Sequence, residues 1–140
     1  MKDNVFIDTN IWIYSITESM DGKDQLKKSI ALNLIKQVNI FSSTQVLIET
    51  SNVLFKNYNK NIEYIKKFIE NIKFLTNIHI VDYYTINLAL EVKNKNKISF
   101  SDSLIAASAL IEKCAYLYTE DMHNNLIINR KLKIINPFIN

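Results

Sequence analysis

Glycine and proline are almost missing from this 140-residue chain, which has one of each, Gly22 and Pro137. So few breakers argue for regular elements joined by short polar connections, with little disordered linker. Cysteine is equally scarce. Cys114 stands alone in an apolar stretch, which excludes an intramolecular disulfide and reads as a small core residue rather than a reactive thiol. The two histidines, His79 and His123, have no partners at ligand spacing, so structural zinc is not expected. Arginine is the fourth scarcity: of the 17 Lys and Arg residues, only Arg130 is arginine. Arginine suits bidentate reading of phosphates and bases, whereas lysine acts as a point charge. The chain is thus better equipped for non-specific attraction to a phosphate backbone than for base-edge recognition. Abundant Lys, Asn and Ile also match an AT-rich genome, and that compositional source takes the larger share of the bias. A net charge of +3 adds only a weak pull toward anionic partners.

No window approaches a membrane span. Asp3 and Asp8 interrupt the apolar stretch near the N-terminus, so no secretory signal is expected and a soluble cytoplasmic protein is the default. With 48% hydrophobic residues, 140 residues can bury a full core. No repeat or low-complexity segment marks a boundary, so one domain over residues 1–140 is expected.

Hydrophobic patterning predicts strands alternating with helices. Val5 to Ile7 reads as a buried strand, followed by a short helix holding Ile11, Trp12 and Tyr14. Met20 to Lys23, around Gly22, reads as a loop, and Asp24 as the cap of a helix through about Val38. Asn39 to Ser42 is a second strand, and Ser43 or Thr44 caps a helix to about Asn57. Asn61 caps a strongly periodic helix through Leu75. Ile78 to Val81 is a third strand, and Thr85 to Lys93 a helix. Ser99-Phe100-Ser101-Asp102 is a capping-box pattern opening a small-residue helix to about Lys113. Tyr116 to Tyr118 and Leu132 to Ile135 complete the strands. The expected architecture is α/β: three layers, with a central, mainly parallel sheet of four to five strands between helices.

Four carboxylates stand out against this frame: Asp8, Glu49, Asp102 and Asp121. Asp8 and Asp121 follow strands, and sites in open parallel sheets form beyond the strands' carboxyl ends. Asp102 sits in a first helical turn, where the dipole favours an anion. Glu49 shares a helix face with Gln45, Asn52 and Val53, separable from the apolar face. Each acid alone has a plainer explanation as a cap, a dipole partner, a solvated helix residue or a turn residue, and Glu120 is as good an acid as Asp121 by composition. Together, four converging acids repel unless a cation holds them. Oxygen-only ligands favour Mg²⁺ or Mn²⁺ over zinc. Mg²⁺ shares its shell readily with phosphate, which makes a phosphodiester the natural substrate class.

The segments carrying these acids resemble the motifs of PIN-domain proteins. They are Phe6-Ile7-Asp8-Thr9-Asn10-Ile11-Trp12-Ile13-Tyr14, Ser43-Thr44-Gln45-Val46-Leu47-Ile48-Glu49, Ile98 to Ala109 around Asp102, and Leu117-Tyr118-Thr119-Glu120-Asp121-Met122. The closing Ile134-Ile135-Asn136-Pro137-Phe138 is similar to the ending of a subgroup, and the set resembles the VapC-type toxins most closely. The third motif departs slightly, with Ser103 where the family often has alanine. The resemblance implies a metal-dependent endoribonuclease of a toxin–antitoxin pair. Asp8, Asp102 and Asp121 would hold Mg²⁺ or Mn²⁺, Glu49 would orient or deprotonate the attacking water, and Thr9 and Asn10 would support the site. It implies an RNA substrate, a small VapB-like antitoxin and a homodimer. Tyr14 or Tyr58 would be available to stack on a base, and Trp12, Phe68 or Phe74 to serve an interface, although core packing competes for each. Three rivals stay open: a catalytically degenerate PIN-like module that binds RNA or protein, another acid-rich phosphotransfer fold, and four unrelated caps. A haloacid-dehalogenase-like phosphatase needs a second Asp where Asn10 stands.

Overall fold

Val5–Ile7 forms β1, with all three side chains buried, as an apolar run in the middle of a parallel sheet should be. The computed structural model describes residues 2–139. Along them follow α1 (Thr9–Tyr14), α2 (Gly22–Leu34), β2 (Ile40–Ser43), α3 (Thr44–Lys56) and α4 (Ile62–Leu75). Then come β3 (Asn77–His79), α5 (Tyr83–Lys95), α6 (Phe100–Ile111), β4 (Tyr116–Tyr118), β5 (Ile127–Ile128) and β6 (Leu132–Ile135). The sheet order is β3-β2-β1-β4-β6-β5. All neighbours are parallel except β5, which runs antiparallel to β6. The chain lays β2 and β3 on one side of β1 and then crosses to place β4 on the other. The strand order therefore reverses between β1 and β4, the point where an open α/β sheet leaves a crevice at its carboxyl edge.

The sheet has six strands among the described residues, rather than four to five. The extra one is the two-residue β5, joined to β6 by a tight turn. Asn129 and Arg130 both take positive φ there (51° and 60°), and the Lys131 amide donates to the Ile128 carbonyl at 3.1 Å. Turns of this hand match the twist of paired strands. Neither residue is glycine, so the usual sequence signal for such a turn is missing.

Helix α2 is shifted toward the N-terminus from the expected Asp24–Val38. The Asp21 side chain accepts from the Lys23 amide at 2.8 Å and caps the helix, so Gly22 opens it instead of lying in a loop. Beyond its end, Asn39 adopts a φ of 58°. The third strand is Asn77–His79 instead of Ile78–Val81. Asp82 and Thr85 form a reciprocal capping box for α5, and the Val81 amide donates to the Thr44 hydroxyl, which takes Val81 out of the ladder.

Ser103 through Ala109 of α6 are all buried. A helix enclosed on every side needs small side chains, and its two serines return their hydroxyls to carbonyls one turn back, Ser103 to Ser99 and Ser108 to Leu104, each at 2.8 Å. Trp12 is 1% exposed and belongs to the core, so it is not available as an interface residue; Phe74, at 86%, is open to solvent. His79 ties the sheet edge to two helices, with Nδ1 2.6 Å from Glu112 Oε2 and Nε2 2.8 Å from Thr85 Oγ1. No helix among the described residues is long and apolar enough to cross a membrane.

Candidate active site

Asp8 leaves β1 and caps α1, and its side chain is held inside the crevice at both oxygens. Oδ1 accepts from the Thr9 amide and Oδ2 from the Thr119 hydroxyl, each at 2.7 Å. Its own amide continues the β1–β4 ladder to the Tyr118 carbonyl. Only 2% of Asp8 is exposed. Burial lifts its carboxyl from 3.8 to about 7, partly opposed by the Thr119 and Thr9 hydrogen bonds and reinforced by the charges of Glu49 and Asp102.

Thr119, at the end of β4, is the hub of the site. Its hydroxyl donates to Asp8 and accepts from the Asp121 amide at 3.1 Å and from Asn10 Nδ2 at 3.3 Å. One donor and two acceptor positions are the whole capacity of a hydroxyl. Asn10 completes the link. Its Nδ2 donates to Asp121 Oδ2 at 3.0 Å, and its Oδ1 accepts from the Glu120 amide at 3.3 Å. These contacts fix the exposed Asp121 relative to the buried Asp8.

Glu49 enters from the second turn of α3. Oε2 accepts from the Thr9 hydroxyl at 2.9 Å, and Oε1 from Gln45 Nε2 at 2.9 Å and the Ser101 hydroxyl at 2.8 Å. Asp102 comes from the first turn of α6, where its amide donates to the capping Ser99 hydroxyl at 3.0 Å. Asp102 is half-buried. Desolvation raises its carboxyl above the ordinary value, Ser99 opposes the rise, and the charges of Asp121 and Glu49 add to it.

The fold thus brings the four acids, with Thr9 and Asn10, to one edge at the β1–β4 switch point. Three further residues belong to the network: Thr119, Gln45 and Ser101. Thr119 lay inside a recognised motif, and Gln45 stands four residues before Glu49 on the same helix face. Nothing in the sequence pairs Ser101 with a residue 52 positions away.

None of the four acids has a basic partner. Among the described residues the ion pairs are Lys27–Glu120, Lys60–Glu18 and His79–Glu112. No group of three carboxylates is set at the spacing of a ready-made cage for an ion, again among the described residues. Mg²⁺ does not require one, because it keeps several waters and takes one or two carboxylates directly. An all-oxygen set, one deeply buried carboxyl and, among the described residues, no ammonium at ion-pair distance fit a hydrated divalent cation.

Residues 5–124 match the model of the PIN domain family, and the chain belongs to that family. Its fold is shared by solved toxin structures. VapC20 of Mycobacterium tuberculosis, a Sarcin-Ricin loop cleaving toxin, is 18% identical with a TM-score of 0.62, over 81% of this chain and 87% of that one. A toxin–antitoxin complex from Klebsiella pneumoniae gives 15% identity and a TM-score of 0.69, over 96% and 98% of the two chains. VapBC2 from Rickettsia felis, bound to a DNA fragment from its promoter, gives 21% and 0.61, over 94% and 98%. No curated protein sequence matches the chain.

Proposed function

We propose that this protein is a Mg²⁺- or Mn²⁺-dependent endoribonuclease, the toxin of a toxin–antitoxin pair. The observation that carries the proposal is the set of four acids at the switch point, one fully buried, none with an ion-pair partner among the described residues. Asp8, Asp102 and Asp121 would hold the divalent ion, which when bound supplies charge stabilisation for the phosphodiester oxygens. Glu49, oriented by donors on both oxygens, accepts a proton from the attacking water. Thr119 and Asn10 hold Asp8 and Asp121 in register. In-line attack by water would leave a 3′-hydroxyl and a 5′-phosphate, as the family resemblance implies.

Support for the partner is the likeness to toxin–antitoxin structures; a small antitoxin, a homodimer and a cytoplasmic setting belong to this proposal. Phe74 is an exposed apolar residue of the kind such interfaces use. The second reading is a degenerate module that binds RNA or protein without cutting it. The test is cleavage of single-stranded RNA by purified protein with Mg²⁺ or Mn²⁺, beside calorimetric titration with Mn²⁺. Cleavage that persists in both Asp8→Asn and Asp102→Asn proteins would sink the nuclease assignment. Metal binding without cleavage by the unaltered protein would favour the second reading.

A further inference from the structure

A groove of about 560 Å³ opens directly from the acids. It begins at Glu49, Asn10 and Asp121 and runs along α3 to the turn that follows it. Its wall is one helical stripe: Glu49, Asn52, Val53 and Lys56 lie three or four residues apart and face the same side. Lys56 stands seven residues beyond Glu49, about 10 Å along the helix axis. Asn57 and Tyr58 close the far end. There Asn59 takes a φ of 50° and the Lys60 amide donates to the Leu54 carbonyl at 3.0 Å, which folds the chain back behind Tyr58.

The chemistry of this lining is selective. Among the described residues, the side chains of Asn52, Lys56 and Asn57 have no hydrogen-bond or ion-pair partner in the protein. Two carboxamides, each offering a donor beside an acceptor, suit the polar edge of a nucleobase. Tyr58, 40% exposed, supplies an aromatic face, and Val53 and Ile13 supply an apolar floor. Lys56 is the one cation in the lining, a point charge suited to a phosphate. The volume falls in the range of small-ligand sites, of roughly 300–1,000 Å³. It is large enough for a splayed base. Single-stranded RNA is recognised in this way, by stacking on aromatics and hydrogen bonding to base edges.

We infer that this groove is a base-selecting subsite for the nucleotide flanking the scissile phosphate of a single-stranded RNA. In it Asn52 and Asn57 read the base edge, Tyr58 stacks on the ring, and Lys56 holds the adjoining phosphate. The inference rests on the nuclease reading for its substrate, but its test separates the two.

The full-length protein is incubated with Mn²⁺ and a randomised single-stranded RNA pool, and the new ends are sequenced. The unaltered protein should prefer certain bases at one position on one side of the cut. In Asn52→Ala/Asn57→Ala and in Tyr58→Ala that preference should flatten, and kcat/KM on the preferred sequence should fall about 10-fold. Preferences on the other side of the cut should stay. Lys56→Met should weaken all sequences alike and reduce the salt dependence of binding by about one ion. These side chains are exposed, so melting temperatures check that folding is intact. If the unaltered protein cuts RNA and the variants keep its preference and rate, the subsite is overturned while the nuclease stands, and the groove passes to a protein segment as occupant. If the unaltered protein cuts nothing, the nuclease reading fails. The subsite is then judged by fluorescence anisotropy of single-stranded RNA oligonucleotides: a 10-fold loss in the double variant supports it, and equal binding overturns it.

Discussion

Replacing Asp8 with asparagine should stabilise the metal-free protein at neutral pH and destabilise it in acid. In the folded protein burial holds the Asp8 carboxyl at about 7, against an ordinary value of 3.8. Between those two pH values the folded state keeps a proton that the unfolded chain has released. Stability must therefore fall as pH rises through this window and level off above about 7. At 1.36 kcal/mol for each pH unit, the ionised side chain costs about 4 kcal/mol at the upper end. Asp102, also raised, acts in the same direction.

Asparagine removes the titrating group. Its oxygen can still accept from the Thr9 amide, but its NH₂ would face the Thr119 hydroxyl, whose proton then lacks an acceptor. That mismatch costs about 1–2 kcal/mol at every pH. The variant should thus lie below the unaltered protein near pH 4 and about 2 kcal/mol above it near pH 8. For a domain of this size the gap at pH 8 is on the order of 5–10 °C in melting temperature. Mn²⁺ should close it from the other side, because an ion at 100 times its dissociation constant adds about 2.7 kcal/mol to the protein that binds it. Thermal melts from pH 4 to 8, with EDTA or Mn²⁺, read both effects. Melting curves that stay parallel across the range in EDTA, or equal stabilisation of both proteins by Mn²⁺, would refute the reasoning.

Three other predictions follow from the network. Thr119→Val keeps the volume but removes the donor to Asp8 and the acceptor for Asp121 and Asn10. It should cost about 2–3 kcal/mol in denaturant melts at neutral pH, abolish cleavage, and push the Asp8 carboxyl further up. Gln45→Ala with Ser101→Ala strips both donors from Glu49 Oε1 at the protein surface. Stability should stay within about 0.5 kcal/mol while kcat falls about 10-fold; an unchanged rate would show that Glu49 needs no such guidance. His79→Ala, at the far edge of the sheet, should lower stability by about 2 kcal/mol through two lost hydrogen bonds, and leave cleavage per folded molecule within about twofold.

The parts of this molecule legible in its sequence are those fixed by local rules. Asp8 and Asp121 follow apolar runs, and a parallel sheet delivers whatever follows its strands to one edge. The periodic α4 and its Asn61 cap also follow from neighbours in sequence. The illegible parts depend on distant partners or on weak local signals. Thr119 acts on Asp8 from 111 residues away. Helix α1 spans only six residues, too few for a periodic pattern to show that Trp12 points inward. The β5 strand has two residues and a turn without glycine. That Asn52 and Val53 share a helix face with Glu49 was visible as spacing, but only the fold shows that this face, with Lys56, borders a groove.

Asp121 has no ion-pair partner among the described residues, whereas its neighbour Glu120 is paired with Lys27 of α2. Glu120 and Asp121 are adjacent, yet they have separate partners. Glu120 turns to Lys27, 2.5 Å away, and accepts from the Tyr14 hydroxyl at 2.6 Å. Lys27 also lies over the rings of Tyr14 and Phe138 at 4.8 and 5.4 Å. Its ammonium is held above its ordinary value, first by Glu120 and then by Tyr14, so it stays charged and occupied. Asp121 turns instead to the neutral amide of Asn10. A lysine paired with Asp121 would neutralise one of the acids and compete with any ion for it. Placing the lysine one residue away, on Glu120, fixes the loop without discharging the site. A rigid loop and an Asp121 without an ion-pair partner coexist because the two tasks fall to neighbouring residues.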